Sequence, residues 1–150
     1  MQLPELELPE HPQRLRETDG LREIWDPIRR QFLKLTPEEW VRQNLRAHLV
    51  RDKGYPEQLM QMERGLKLNG MQRRTDLCVY RQSRCVLLIE CKSPSVRLDQ
   101  KAFDQLSRYN LVIKAPWVLL SNGIHHISAH IKETGPVFVK DIPHYNDLTQ

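Results

Sequence analysis

Three ionisable residues sit where packing alone does not call for them. Asp76 heads the otherwise apolar run LCVY, while Glu90 and Lys92 close CVLLIECK at 85–92, the most apolar stretch of the chain. Carboxylates are rarely buried without a partner. Period-two alternation places Asp76, Cys78 and Tyr80 on one face of a strand, and Val86, Leu88, Glu90 and Lys92 on one face of the next. If Cys78 opposes Leu88 and Tyr80 opposes Val86, Asp76 stands beside Glu90. Leu77, Val79, Leu87, Ile89 and Cys91 then form a wholly apolar reverse face. A slip of one residue would part the two acids. Two carboxylates one strand apart make an oxygen-rich site for a hard divalent cation, Mg²⁺ with Mn²⁺ as its substitute. Lys92, on the same face, can steady a water or the charge that grows on phosphorus. This is the minimal apparatus for phosphodiester hydrolysis.

The residues that follow add to it. Gln105 and Tyr109 stand four apart, hence on one side of a helix, and can orient a water or a phosphate. Arg97, Lys101 and Arg108 lie nearby and can grip a nucleic-acid backbone. Plainer roles compete at each position. Asp76 can pair with Arg73 or Arg74, Glu90 and Lys92 can be a solvated strand end, and Gln105 and Tyr109 can be a packed helix face. Arg42, Arg46 and Lys53 read as a solvated helix face that can also reach nucleic acid. His125, His126 and His130 lack metal-ligand spacing and read as ordinary histidines.

Positioning these groups requires a definite order of elements. Thr36-Pro37-Glu38-Glu39 is a capping box with proline at the first helical position. It predicts a helix to about Asp52, ended by Gly54. Gln58 to Leu68, Gln72 to Tyr80 and Cys85 to Lys92 predict three strands, the first two joined by a tight turn at Asn69-Gly70. Asp99 is the cap of a second helix over Gln100 to Val112, and WVLLSNG and His125 to Ile131 are two further strands. Ile28 to Leu35 fits a short helix or an edge strand. Pro4, Pro9 and Pro12 mark residues 1–20 as an arm outside the central sheet. The expectation is an α/β fold: a mixed sheet of about five strands flanked by helices, ordered helix-strand-strand-strand-helix-strand-strand. Residues 1–35 form an extension on or near a core of residues 36–150.

At 150 residues the chain suits one domain. Its 23 Lys and Arg against 19 Asp and Glu give +4, mildly basic. That charge permits an anionic partner without the dense patch of a strong nonspecific DNA binder. No stretch approaches a membrane span, and the acidic, proline-bearing start is no secretory signal. Cys78, Cys85 and Cys91 lack a C-x-x-C pair and read as reduced thiols in a cytoplasmic protein.

These pieces together resemble the N-terminal nuclease domain of type I restriction enzyme R proteins, in its small stand-alone form, within the PD-(D/E)xK superfamily. The likeness is carried by DPIRRQFLKLTPEEWVRQNL at 26–45, GYP at 54–56, NGMQRRTDLCVY at 69–80, LLIECKSPSV at 87–96, QKAFDQLSRYN at 100–110, and WVLLSNG. It implies a restriction-endonuclease-like fold. Asp76 and Glu90 would be metal-binding acids, Lys92 the catalytic lysine and the Cys91 main-chain carbonyl a further ligand. Gln105 and Tyr109 would be the helix motif, and Glu39, with Glu38 behind it, the acid of the first helix. Arg42, Arg74, Arg97, Lys101 and Arg108 become the candidate nucleic-acid contacts. Thr75 replaces the proline of the superfamily name. No G-x-x-x-x-G-K-[ST] is present, so ATP-driven translocation is not inferred. The implied activity is Mg²⁺-dependent DNA hydrolysis in restriction or defence, with DNA as partner and a homodimer or larger complex as setting. A catalytically silent DNA-binding or protein-interaction module of the same fold is the alternative.

Overall fold

A computed structural model describes residues 2–63, 67–68, 71–72 and 76–149, with the backbone alone for 63, 67–68, 71–72 and 76. Eleven strands and two helices follow in chain order. They are β1 (Leu15–Thr18), β2 (Leu21–Asp26), β3 (Gln31–Lys34), α1 (Pro37–Asp52), β4 (Met60–Glu63), β5 (Lys67–Leu68), β6 (Met71–Gln72), β7 (Asp76–Arg81), β8 (Arg84–Cys91), α2 (Gln100–Ile113), β9 (Trp117–Ser121), β10 (His126–Lys132) and β11 (Gly135–Val139).

The main sheet has six strands in the order β11-β10-β9-β8-β7-β4. Its one parallel pair is β8 with β9, joined through α2 as a crossover. The expected α/β sheet flanked by helices is present, but its strand count is six and not five. The sixth is β11, which lies at an edge of the sheet, where its Pro136 is tolerated. Of two smaller antiparallel sheets, β5-β6 pairs the ends of the strands expected on either side of Asn69-Gly70, and β3 takes the strand alternative offered for Ile28 to Leu35, whereas β1 and β2 were not foreseen. β1 is exposed along its whole length, so it lacks the apolar alternation that announces a strand.

Each face of the main sheet carries its own core. Val41, Leu45 and Leu49 of α1 pack on Leu77, Val79, Leu87, Ile89, Cys91 and Leu119. Ala102, Phe103, Leu106 and Tyr109 of α2 pack on Cys78, Leu88, Val118 and Leu120. The two sets alternate along β7 and β8, as period two demands.

Both helix caps form as expected. The Thr36 hydroxyl accepts from the Glu39 N–H at 3.1 Å, and the Asp99 carboxylate accepts from the Ala102 N–H at 3.0 Å. α1 is nevertheless buried nearly all round, because residues 2–34 cover the side that the sheet does not. The Trp40 indole donates to the Pro4 carbonyl at 2.9 Å, the Gln13 amide donates to the Gln43 carbonyl at 3.3 Å, and Leu6 and Leu8 reach the core. Arg42 and Arg46 are buried, which corrects the expectation of a solvated face. The expected turn at Asn69-Gly70, and Arg73, Arg74 and Thr75, lie outside the described residues.

Candidate functional site

The hairpin β7-β8 sets the geometry. Leu77 pairs with Ile89, Cys78 with Leu88 and Val79 with Leu87. Continuing that register by one residue brings Asp76 level with Glu90. Beyond Val79 the ladder shifts, and Tyr80 pairs with Cys85 instead of the expected Val86. The irregularity lies toward the turn and leaves the other end of the hairpin in step. Asp76 in turn pairs with Glu63 of β4, so the same continuation would set Glu63, Asp76 and Glu90 in one row across three strands.

Glu90 is 3% exposed. The Lys92 ammonium stands 3.2 Å from its carboxylate, and the Lys92 N–H donates to the Ser121 carbonyl at 2.8 Å. Lys92 is thus anchored where β8 and β9 end side by side, the edge at which parallel α/β sheets hold ligands. Cys91 pairs with Ser121 in the same ladder.

Glu39 is placed differently. Its carboxylate accepts from Arg42 at 2.7 Å, from Gln43 at 2.9 Å and from Arg29 at 3.2 Å. Arg29 also binds the buried carboxylate of Asp26, which ties the β2-β3 connection to α1. Burial works against the charge on Arg42, but the nearby Cys91, Glu39 and Glu38 outweigh it and hold its pKa above the ordinary arginine value. Burial lowers the pKa of Arg46, with its partner Glu57 at 2.7 Å offsetting part of the cost.

Helix α2 separates the two members of its expected motif. Tyr109 is fully buried in the core under the helix, whereas Gln105 is exposed at the edge of that stripe. Lys101, Arg108 and Arg97 are exposed. The Asn122 carboxamide accepts from Ile124 and His125 N–H groups at 2.9 and 2.7 Å and donates to the Val96 carbonyl at 2.8 Å. It therefore shapes its own turn and also pins the loop after Lys92, a tie that the turn signal alone did not predict. The His126 ring bridges Ser121 and the Glu7 carbonyl, and His130 stacks on Trp117.

Among the described residues, no group of three His, Cys, Asp or Glu side chains comes together to hold a metal ion; the Asp76 side chain lies outside that set. Among them, too, no helix is long and apolar enough to cross a membrane. Comparison with curated proteins and with solved structures finds no match. The family described as Type I restriction enzyme R protein N terminus (HSDR_N) matches residues 37–143, from the first turn of α1 to just beyond β11. With that span covering most of the chain and every strand of the main sheet, the protein belongs to the HSDR_N family, a nuclease-fold domain.

Proposed function

We propose that this domain is a metal-dependent deoxyribonuclease of the PD-(D/E)xK type, cutting DNA phosphodiester bonds in restriction or defence. The observation that carries this is the Glu90–Lys92 pair at the end of β8, and it is supported by a β7-β8 register that, continued one residue past Leu77↔Ile89, brings Asp76 level with Glu90. A buried carboxylate beside a lysine, at the edge where strand ends collect ligands, suits a hard cation and a phosphate together.

Asp76, Glu90 and the Cys91 carbonyl are the groups that would hold Mg²⁺ or Mn²⁺, and the oxygen chemistry of this set fits either ion. The bound ion would supply Lewis-acid stabilisation of phosphoryl charge and a lowered pKa for water. Lys92 holds a positive charge against the phosphoryl group as negative charge develops there. Glu39, with its oxygens on Arg29, Arg42 and Gln43, serves to hold α1 and not the reacting atoms. Gln105, exposed on α2, is open to a substrate, while Tyr109 positions α2 from within the core. Lys101 and Arg108 offer backbone contacts from the outer face of α2. Arg42, buried against Glu38 and Glu39, is assigned no DNA contact. HSDR_N domains bind DNA within larger restriction complexes, and a cytoplasmic assembly of that kind, or a homodimer, is the proposed setting.

A plasmid and a single-stranded DNA, each incubated with the protein and Mg²⁺ or Mn²⁺, test this. Cleavage is expected with wild type. Asp76→Ala and Lys92→Ala are each expected to slow it by about 100-fold or more. Wild type that cuts neither substrate with either ion overturns the hydrolytic function. The commitment of Glu39 to arginines favours one second reading, a silent DNA-binding module. It predicts DNA affinity that Asp76→Ala leaves intact.

A further inference from the structure

The loop that follows the Glu90–Lys92 pair borders a groove. The loop from Ser93 to Leu98 and the turn from Asn122 to His125 leave the C-terminal ends of β8 and β9 side by side. Between them lies a space of about 490 Å³ whose walls include Pro94, Val96, Arg97, Ile124 and His125. Its volume falls within the range of roughly 300–1,000 Å³ usual for small-ligand pockets.

The walls are of two kinds. Pro94, Val96 and Ile124 are apolar, and Val96 is exposed although it is a large aliphatic side chain. Arg97 and His125 are exposed, Arg97 presenting positive charge and both presenting N–H donors. Among the described residues, no carboxylate lines the groove. Asp99, the nearest acid in the loop, is committed to the α2 cap. Asn122 holds the two walls at a set separation through its bond to the Val96 carbonyl.

We infer that this groove is a nucleotide subsite. It takes the residue of a DNA strand next to the phosphate held at Glu90 and Lys92, with that neighbour's phosphate on Arg97 and His125 and its base against Val96 and Ile124. The inference rests on the nuclease function proposed above and deepens it. Spacing supports continuity: only Ser93 separates Lys92 from Pro94, a chain distance of roughly 7 Å. A DNA strand advances about 3.4 Å per nucleotide along its axis, so a strand anchored at Lys92 reaches the groove within about two nucleotides. A positive groove that tracks the backbone is what single-stranded nucleic acid favours, and Arg97 supplies that charge here, with Val96 and Ile124 offering aliphatic surface to the base.

The test separates binding from chemistry. A fluorescein-labelled single-stranded DNA is titrated with the full chain without divalent cation, so that no cleavage intervenes, and anisotropy is read at several salt concentrations. Arg97→Glu is expected to weaken binding by about tenfold and to flatten the salt dependence by about one phosphate contact. Lys132→Glu makes the same charge change at the far end of the sheet and is expected to stay within about twofold of wild type. Val96→Asp is expected to match the loss in Arg97→Glu, because it sets a carboxylate in the base wall. If Arg97→Glu and Lys132→Glu weaken binding equally, or Arg97→Glu does not weaken it at all, the subsite is overturned. Cleavage by wild type in a parallel assay with Mg²⁺ decides the nuclease function separately, since a strand can be bound in the groove whether or not it is cut.

Discussion

Glu39 and Glu90 are both buried carboxylates, yet their surroundings set them different tasks. Glu39 is enclosed by Arg29, Arg42 and Gln43, and removing it leaves cations in a low-dielectric site without their counter-charge. Glu39→Ala is therefore expected to cost about 3 kcal/mol of stability, read as a lower urea midpoint. Glu39→Gln should recover part of that by keeping a hydrogen-bonding group of the same shape. A reacting acid would behave otherwise, with cleavage falling while the midpoint held. At this scale the sequence was legible wherever a short period governs. Glu90 and Lys92 could be placed on one face because a strand alternates strictly, and their side chains do meet. Arg42 and Arg46 were not legible, because their burial depends on distant segments, Cys91 of β8 beside Arg42 and Glu57 with residues 12–27 around Arg46, which no local pattern in α1 encodes. Tyr109 and Gln105 show a milder case: four residues apart on a helix means adjacent, not equally buried.

Among the elements, the β7-β8 hairpin repays attention to its ends. Gln82 and Ser83 form a two-residue turn with φ of 52° and 65°, the left-handed conformations of the turn type that suits a twisted hairpin. Neither is glycine or asparagine, so the turn carries backbone strain. Ser83→Gly is expected to raise stability by about 0.5–1 kcal/mol, since glycine adopts that φ without steric cost. The gain should appear as a higher melting temperature with cleavage and DNA affinity unchanged. The helix caps at Thr36 and Asp99 and the strands β7 to β10 were readable from sequence, because each is announced by local chemistry. The hairpin irregularity at Val79 and Tyr80 was not, since both candidate registers bury similar side chains near the turn. The edge strand β11 and the exposed strand β1 escaped for the opposite reason: neither shows a clean alternation between core and water.

For the whole molecule, the N-terminal arm acts as a clasp. It reaches α1 through Pro4 and Gln13, the end of that helix through His11 on Asp52, and the β9-β10 turn through Glu7 and Leu6. Gly123, at φ +85°, lies so close that an added Cβ would meet Leu6 at 2.7 Å. His126 closes the clasp. The Glu7 carbonyl can only accept, so Nε2 donates to it and Nδ1 accepts a hydrogen bond from the Ser121 hydroxyl. Burial lowers the His126 pKa below its usual 6.5, with His48 and His125 adding repulsion and Glu7 opposing it. The unfolded chain thus binds this proton more readily. Stability should fall as pH drops through about 6.5 and level off below the folded pKa. Melting curves of wild type and His126→Gln across that range check this; the variant should show a shallower decline. Asp52 acts in another window: hydrogen bonds from His11 and His48 lower its pKa below 3.8, so its contribution is lost only in stronger acid. The arm and β1-β3 lie outside the HSDR_N match at residues 37–143, yet they are what keeps α1 from water. The register shift at Val79/Tyr80 has a practical consequence as well. Because it takes up the mismatch on the turn side, a peptide tag or a fluorescent reporter spliced between Gln82 and Ser83 would leave Asp76 opposite Glu90. That loop is therefore the natural place to attach a probe to this nuclease-fold domain.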